Sequence, residues 1–400
     1  MIERVQEGFP ISVVASQFGV ERNTVRFWVK RGQGIPLDQM NWADRSSAPH
    51  LVHNRTSREM EQRILECRRF LASPENALGF IGPGAIRDFL KDEGRRPPSL
   101  RTVARILNRN GILDQKVRRR FKAPPVGWYI PGLDLGLTNM DVFDTVEGLV
   151  IEGQGELEVF TTVSLWSPHA QAWPAHSINT SQIVNWLISY WRIVGLPSYA
   201  QFDNDTRFQG AHHHADVIGR VMRICLSLGV TPVFAPPRET GFQALIENFN
   251  GLWQTRVWHR FHHFDLLSLS ARSQRFISAY IQHRSARFEH TPARRPFPTN
   301  WKIDFNTYPQ GKIIYIRRTN DQGNITILGR QFSIDPNWVH RLVRCEVELD
   351  NHIINIFRLR RRDPKDQPLL KTIEYHLPKR RSFRWSRGAV TQNSQFQSAQ

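Results

Sequence analysis

Apolar residues recur three and four apart across residues 11 to 31, ISVVASQFGVERNTVRFWVKR, and the run is split by Gly19. That pattern predicts a helix, a glycine turn and a second helix, with Val14 and Phe18 on one buried face and Val25, Phe27, Trp28 and Val29 on the next. The same period returns at 56 to 71, TSREMEQRILECRRFL, where a Thr or Ser cap precedes Met60, Ile64, Leu65 and Phe70. It returns again at 97 to 111, PPSLRTVARILNRNG, with Ser99 as the cap and Val103, Ile106 and Leu107 as the buried face. Residues 32 to 54 and 115 to 127 carry Gly, Pro and Ser or basic and Pro content instead, and read as linkers.

After about residue 134 the period changes. LTNMDVFDTVEGLV (137 to 150) and LEVFTTVSLW (157 to 166) are β-branched and aromatic, and predict strands. TSQIVNWLISYWRIV (180 to 194) predicts a helix, and LPSYAQFDND then reads as a short strand ending at Asp203. A helix near 215 to 228, a strand at 230 to 235 and a helix from about 243 complete an alternation that calls for a layered α/β domain with a covered sheet. Four short apolar runs between 311 and 362, separated by Asn, Asp and Gly, predict a small β-barrel.

Charge adds a partner. The 400 residues hold 54 Lys and Arg against 36 Asp and Glu, a net +18, and residues 351 to 400 alone carry 11 basic and 3 acidic side chains. Such a balance favours a polyanion, because each phosphate contact releases condensed counterions. Three cysteines, far apart, are too few for a disulfide scaffold or a thiolate metal site, and no run reaches membrane-spanning length, so the expectation is an intracellular protein with no membrane partner. On the helical modules, Asn23, Thr24 and Arg26 are placed to face a major groove, and Arg101, Arg105 and Arg109 lie four apart along one face, a spacing that suits a phosphate track. Arg118, Arg119 and Arg120 of the basic linker and Arg380, Arg381 and Arg384 of the tail are further expected phosphate contacts, and Arg317, Arg318 and Arg330 would decorate the barrel. In the tail, Phe383 and Trp385 are interleaved with the arginines as stacking rings.

The chemistry rests on carboxylates: Asp141 on the first strand, Asp203 at the end of a later one, and Glu247 on the flank of a helix with Asn250. Convergence of the three would hold two divalent cations, Mg²⁺ or Mn²⁺, hard ions that take oxygen ligands. By periodicity alone the set is loose, since any α/β chain offers Asp and Glu near strand ends.

The helix-turn-helix modules, TNMDVFD, FDNDTRF and the Glu of ALIENFNGLWQ, in that order, resemble the DDE transposases and retroviral-type integrases. The likeness extends over nearly the whole chain and is nearest to bacterial insertion-sequence transposases with an integrase core. It implies a multidomain α+β protein: helix-turn-helix modules at 1–35 and 55–114, linkers at 36–54 and 115–133, an RNase H-like core at 134–298, an SH3-like barrel at 299–363 that contacts DNA in the family, and a basic tail at 364–400. It implies Asp141, with Asp144 a near neighbour, Asp203 and Glu247 as catalytic metal ligands, with two ions per active site. The activity implied is cleavage at the 3′ ends of a mobile element and strand transfer into target DNA. A dimer or tetramer would join both double-stranded ends, with a possible helper protein, in the bacterial cytoplasm at the nucleoid. Asp205 stands where the family's Asp-Asn-Gly motif has glycine, and 43 residues separate Asp203 from Glu247, more than the family's common spacing. Three rival readings are a catalytically dead, sequence-specific regulator, a nuclease acting on RNA hybrids, and a basic assembly protein binding DNA without sequence preference.

Overall fold

The computed structural model describes residues 1–43, 56–113, 124–210, 214–239, 241–286, 288 and 291–378. The chain divides into two compact units, Met1–Glu61 and Gln62–Gln400. In the first, α1 (Ile2–Gln6), α2 (Ile11–Phe18) and α3 (Arg22–Arg31) enclose Val14, Ala15 and Val25. The expected turn is at Gly19, whose φ of 62° is left-handed, so its N–H can close back on Ala15 and Ser16. Phe18 and Phe27, expected in the packed faces, are about half exposed at 47% and 48%. Three short helices close over a core of small aliphatic side chains and leave no room for the rings.

The division between units falls in the first turn of α4 (Arg58–Ala72), which is followed by α5 (Pro83–Asp92) and α6 (Leu100–Arg109). Ser99 caps α6 as expected, its Oγ accepting the Thr102 N–H at 3.2 Å, and Val103, Ile106 and Leu107 are buried.

The rest of the second unit is built on one nine-stranded sheet. In chain order its elements are β1 (Met140–Ile151), β2 (Gly155–Leu165), β3 (Ala170–Ala175), α7 (Thr180–Val194), β4 (Tyr199–Phe202), α8 (Thr206–Gln209), α9 (Arg220–Ser227) and β5 (Thr231–Phe234). There follow α10 (Ala244–Trp253), α11 (Leu266–Ser285), β6 (Lys312–Arg318), β7 (Asn324–Ile327), β8 (Arg330–Ser333), β9 (Leu342–Glu348), β10 (Ile353–Arg358) and β11 (Leu369–Glu374). The sheet order is β11-β10-β9-β6-β5-β4-β1-β2-β3, with β7 and β8 pairing apart as a hairpin. β4 lies parallel to β1, β5 to β4 and β6 to β5, and the other ladders are antiparallel.

Side chains alternate between the two faces of β1, which sorts the core. Phe143 packs with Phe160, Phe202 and the apolar faces of α7 and α9. Val142 and Val146 pack on the other side with Ile246, Phe249 and Trp253 of α10 and Phe276 of α11.

The expected separate barrel is corrected here: its strands form, but β6, β9 and β10 continue the central sheet and β7 and β8 pair as a separate hairpin. β6 pairs with β5 through Val233↔Ile314 and Phe234↔Tyr315, then with β9, β10 and β11. The reason lies in KIIYIRR itself. Ile313 and Tyr315 enter one core while Ile314 and Ile316 enter the other, so the strand is buried on both faces like a central strand of a covered sheet. Among the described residues no helix is long and apolar enough to cross a membrane.

Candidate functional site: carboxylates at the ends of parallel strands

The parallel ladder between β1 and β4 sets which aspartates share a level. Its paired residues are Met140↔Tyr199, Asp141↔Ala200 and Val142↔Gln201. Two further steps in the same register bring Asp144, not Asp141, level with Asp203. At ~3.3 Å per residue, Asp141 lies roughly 10 Å behind that level.

Asp141 also faces the wrong way. It is fully buried on the side of Phe143, and Arg294 grips it with two hydrogen bonds, Nη1 to Oδ1 at 2.9 Å and Nη2 to Oδ2 at 2.7 Å. Ser164 Oγ donates to Oδ1 at 2.5 Å and Trp191 Nε1 to Oδ2 at 3.0 Å. Burial works to lower the proton affinity of Arg294, but the charge of Asp141 outweighs it and holds the guanidinium above its ordinary range. Arg294 also donates to the Gly195 carbonyl, and Asn139 donates to those of Pro292 and Ala293, so the stretch after α11 is stitched to the start of β1. The expectation that Asp141 is a metal ligand is therefore corrected: its oxygens are spent on closing the core.

Asp144 points to the opposite face, toward α10. Asn250 Nδ2 donates to its Oδ2 at 2.8 Å, and the Asn250 carbonyl oxygen accepts from Thr161 Oγ1 at 2.7 Å, which fixes which end of the amide faces the carboxylate. Burial pushes the Asp144 carboxyl up to about 6; the Thr145 N–H works against this, and the charges of Asp203, Glu247 and Glu147 add to it. Asp203 is likewise raised, by burial first; the Asp205 N–H works against this, and the charges of Asp205 and Glu147 add to it. Glu247 lies exposed in the first turn of α10, one turn before Asn250. Thus Asp144 lies within reach of the charges of both Asp203 and Glu247. Among the described residues, no three His, Cys, Asp or Glu side chains are gathered closely enough to hold a metal ion as they stand.

The loop after β4 is rigidly built. Asp205 adopts φ −60° and caps α8, so this turn needs no left-handed glycine. Arg207 pairs with Asp205 at 2.6 Å, Glu147 at 2.5 Å and Glu158 at 3.3 Å. Burial pulls upward on Asp205, but the Arg207 hydrogen bonds outweigh it and hold its carboxyl low. Asn204 reaches the Ala235 carbonyl at 2.7 Å and accepts from Gln209 and Arg317.

Arg317 is thereby corrected as a surface contact: it is buried, with its guanidinium against the Tyr315 ring and the Ala235 carbonyl. Arg330 is engaged by Asp216 through two hydrogen bonds of 2.7 and 2.6 Å, and Arg318 by Glu239 and the His340 carbonyl. Asn23 and Arg26 are exposed on α3 with Thr24 half-buried beside them, and Arg101, Arg105 and Arg109 are all exposed on α6. Arg118, Arg119, Arg120, Arg380, Arg381 and Arg384 lie outside the described residues.

No family model matches the chain, and no curated protein matches it. Among solved structures, it is similar to a chain of a simian T-cell lymphotropic virus intasome in complex with PP2A regulatory subunit B56 gamma. The identity is 13%, over 66% of this chain and 92% of that chain, with a TM-score of 0.33.

Proposed function

We propose that the chain is a DNA strand transferase of the transposase and integrase type, with an RNase H-like core formed by β3-β2-β1-β4-β5 and its covering helices. The observation that carries the reading is that the parallel β1–β4 register, continued two steps, sets Asp144 level with Asp203 just past the end of β4, with Asp203 and Glu247 near enough for their charges to act on Asp144. Ligands of α/β sheets bind beyond the carboxyl ends of such strands.

Carboxylate oxygens are the donor chemistry a hard divalent cation takes, and burial first, then the charges of Asp203 and Glu247, raise the proton affinity of Asp144, a cost that a bound cation would offset. Asp144, Asp203 and Glu247 would hold Mg²⁺ or Mn²⁺, two ions in the reaction proposed. When bound, they supply Lewis-acid stabilisation of the phosphoryl oxygens and a more acidic attacking hydroxyl. Asn250 keeps the Asp144 carboxylate aimed through its amide hydrogen bond. Water first breaks a phosphodiester at the element end and leaves a 3′-hydroxyl. That hydroxyl attacks a target phosphodiester in line, so one P–O bond forms as one breaks and no bond to the protein is made. The exposed faces of α3 and α6 would hold element-end DNA, in a dimer or tetramer that joins two ends.

The test is cleavage and joining of a labelled duplex carrying candidate ends, with Mg²⁺ or Mn²⁺, in wild type, Asp144→Asn, Asp203→Asn and Asp141→Asn. Products lost in the first two variants under conditions where each remains folded support the reading. One observation favours a second reading, a sequence-specific regulator with an inactive core: the carboxylates are not gathered into a metal site among the described residues. Tight sequence-specific binding with no products in any protein would select it.

A further inference from the structure

A basic recess of ≈ 220 Å³ lies where β6 and β10 end and β9 begins, lined by Arg318, Trp338, His340, Arg341, Arg360 and Arg361 among others. Its cations are ordered by an aromatic floor. Trp338 is buried, and the guanidinium groups of Arg341, Arg358 and Arg360 lie over its ring at 5.0, 5.4 and 5.4 Å. Like charges converge there only because the ring face and an anion repay their repulsion. Two carboxylates of the chain itself are present: Asp366 pairs with Arg358 at 2.7 Å and Arg360 at 3.4 Å, and Glu239 pairs with Arg318 and, at 3.1 Å, with Arg361 Nη2. Glu239 lies midway along the connection from β5 to α10.

We propose that this recess is a phosphate site for nucleic acid in which Glu239 acts as a built-in competitor. Two guanidinium groups already clasp the two oxygens of one carboxylate, Oε1 to Arg318 and Oε2 to Arg361. The two non-bridging oxygens of a phosphodiester present the same paired acceptors. Arg318 and Arg361 side chains are 44% and 39% exposed, whereas Glu239 is 16% exposed, so the guanidinium groups remain reachable while the carboxylate is the inner partner. A bound phosphate therefore exchanges with Glu239, and the affinity of the recess is lower by the strength of that internal pair. Arg361 also covers the Phe242 ring at 5.3 Å, and Phe242 in turn accepts hydrogen bonds at its carbonyl from Gln201 and Tyr129. The site thus abuts residues that hold the approach to α10.

The inference rests on the nucleic-acid reading above, and its test separates the two. Affinity of the full chain for a short duplex is measured by fluorescence anisotropy for wild type, Glu239→Gln, and Glu152→Gln, an exposed carboxylate on the β1–β2 hairpin. Both variants change net charge equally. Glu239→Gln is expected to bind about threefold more tightly than Glu152→Gln, the gain from removing one partly exposed competing pair. Arg361→Gln is expected to weaken binding more in the Glu239→Gln background than in wild type. Equal affinities for the two glutamine variants overturn the competitor. Inorganic phosphate is titrated in parallel by phosphorus NMR. Line broadening that Arg361→Gln abolishes, with duplex affinity unchanged, identifies a free-phosphate site and overturns the nucleic-acid assignment. Strand joining with equal glutamine variants sinks this inference alone; differential duplex binding without strand chemistry leaves it standing while the proposed reaction falls; no duplex binding removes both.

Discussion

At the scale of single residues, two aspartates three positions apart on one strand have opposite fates. Asp144 carries a cost that depends on pH. Its carboxyl is raised to about 6 from an ordinary 3.8, so the folded state holds the proton more tightly than the unfolded chain. Below about pH 4 both states are protonated and nothing is lost; the cost grows from about pH 4 to about pH 6 and is complete above, reaching at most ~3 kcal/mol. Asp144→Asn keeps an acceptor for Asn250 and removes the charge, so it is expected to melt at higher temperature than wild type near neutral pH, with the advantage gone by about pH 4. Thermal melts at both pH values check this, and a gain that persists in acid would contradict it. Adding Mg²⁺ or Mn²⁺ at neutral pH is expected to raise the melting temperature of wild type and not of Asp144→Asn, because an ion bound only by the folded state stabilises it. Equal shifts would remove Asp144 from the proposed ligands. Asp141 is the reverse case: Arg294→Ala leaves a buried carboxylate without its partner and is expected to cost about 3–5 kcal/mol in urea denaturation. A loss under about 1 kcal/mol would mean the pair is not structural. Residue types were legible in the chain, and both aspartates stood out against the apolar run. Which one faced the cleft was not, because that depends on register against a strand almost sixty positions later.

At the scale of elements, local signals carried further. The caps, glycine turn and three-and-four spacing of α2, α3 and α6 are set by neighbours in sequence, and all three form at the expected places. Ser99→Ala is expected to destabilise the second unit by about 1 kcal/mol, since Thr102 loses its side-chain acceptor. The arginine row of α6 makes a separate prediction about binding. Replacing Arg101, Arg105 and Arg109 together by Gln is expected to weaken duplex binding and flatten its dependence on salt by up to about three in the logarithmic slope. An unchanged slope would move the phosphate track elsewhere. The element misread from sequence is one whose role is set from outside: Arg317 has the composition of a surface cation, yet it is buried and held by Asn204 and the Ala235 carbonyl. The reverse holds for Phe18 and Phe27, whose apolar character at helical spacing leads to exposure because the small core of α1, α2 and α3 is filled without them.

At the scale of the second unit, the sheet decides whether the C-terminal strands are a removable module. An independent barrel would let the chain be cut before it with the core intact. Here β6 is the hydrogen-bonding partner of β5, and Ile313, Tyr315, Val343, Cys345, Val347, Ile354 and Ile356 belong to the same apolar cluster as Phe143, Trp191 and Phe202. Cutting the chain after Asn300 would strip one face of that cluster and turn β5 into an exposed edge, a template for pairing with other chains. Each large aliphatic side chain so uncovered forfeits roughly 1.5–3 kcal/mol, and a domain is stable by only about 5–15 kcal/mol in all. The expected outcome is that residues 1–300 are recovered aggregated or unfolded, with loss of the cooperative thermal transition. A soluble fragment with a sharp transition and sequence-specific duplex binding would contradict the single-sheet architecture. Because Asp203 follows β4 and β4 lies directly between β1 and β5, the same cut is expected to abolish any metal-dependent strand chemistry even though Asp144, Asp203 and Glu247 all remain in the fragment.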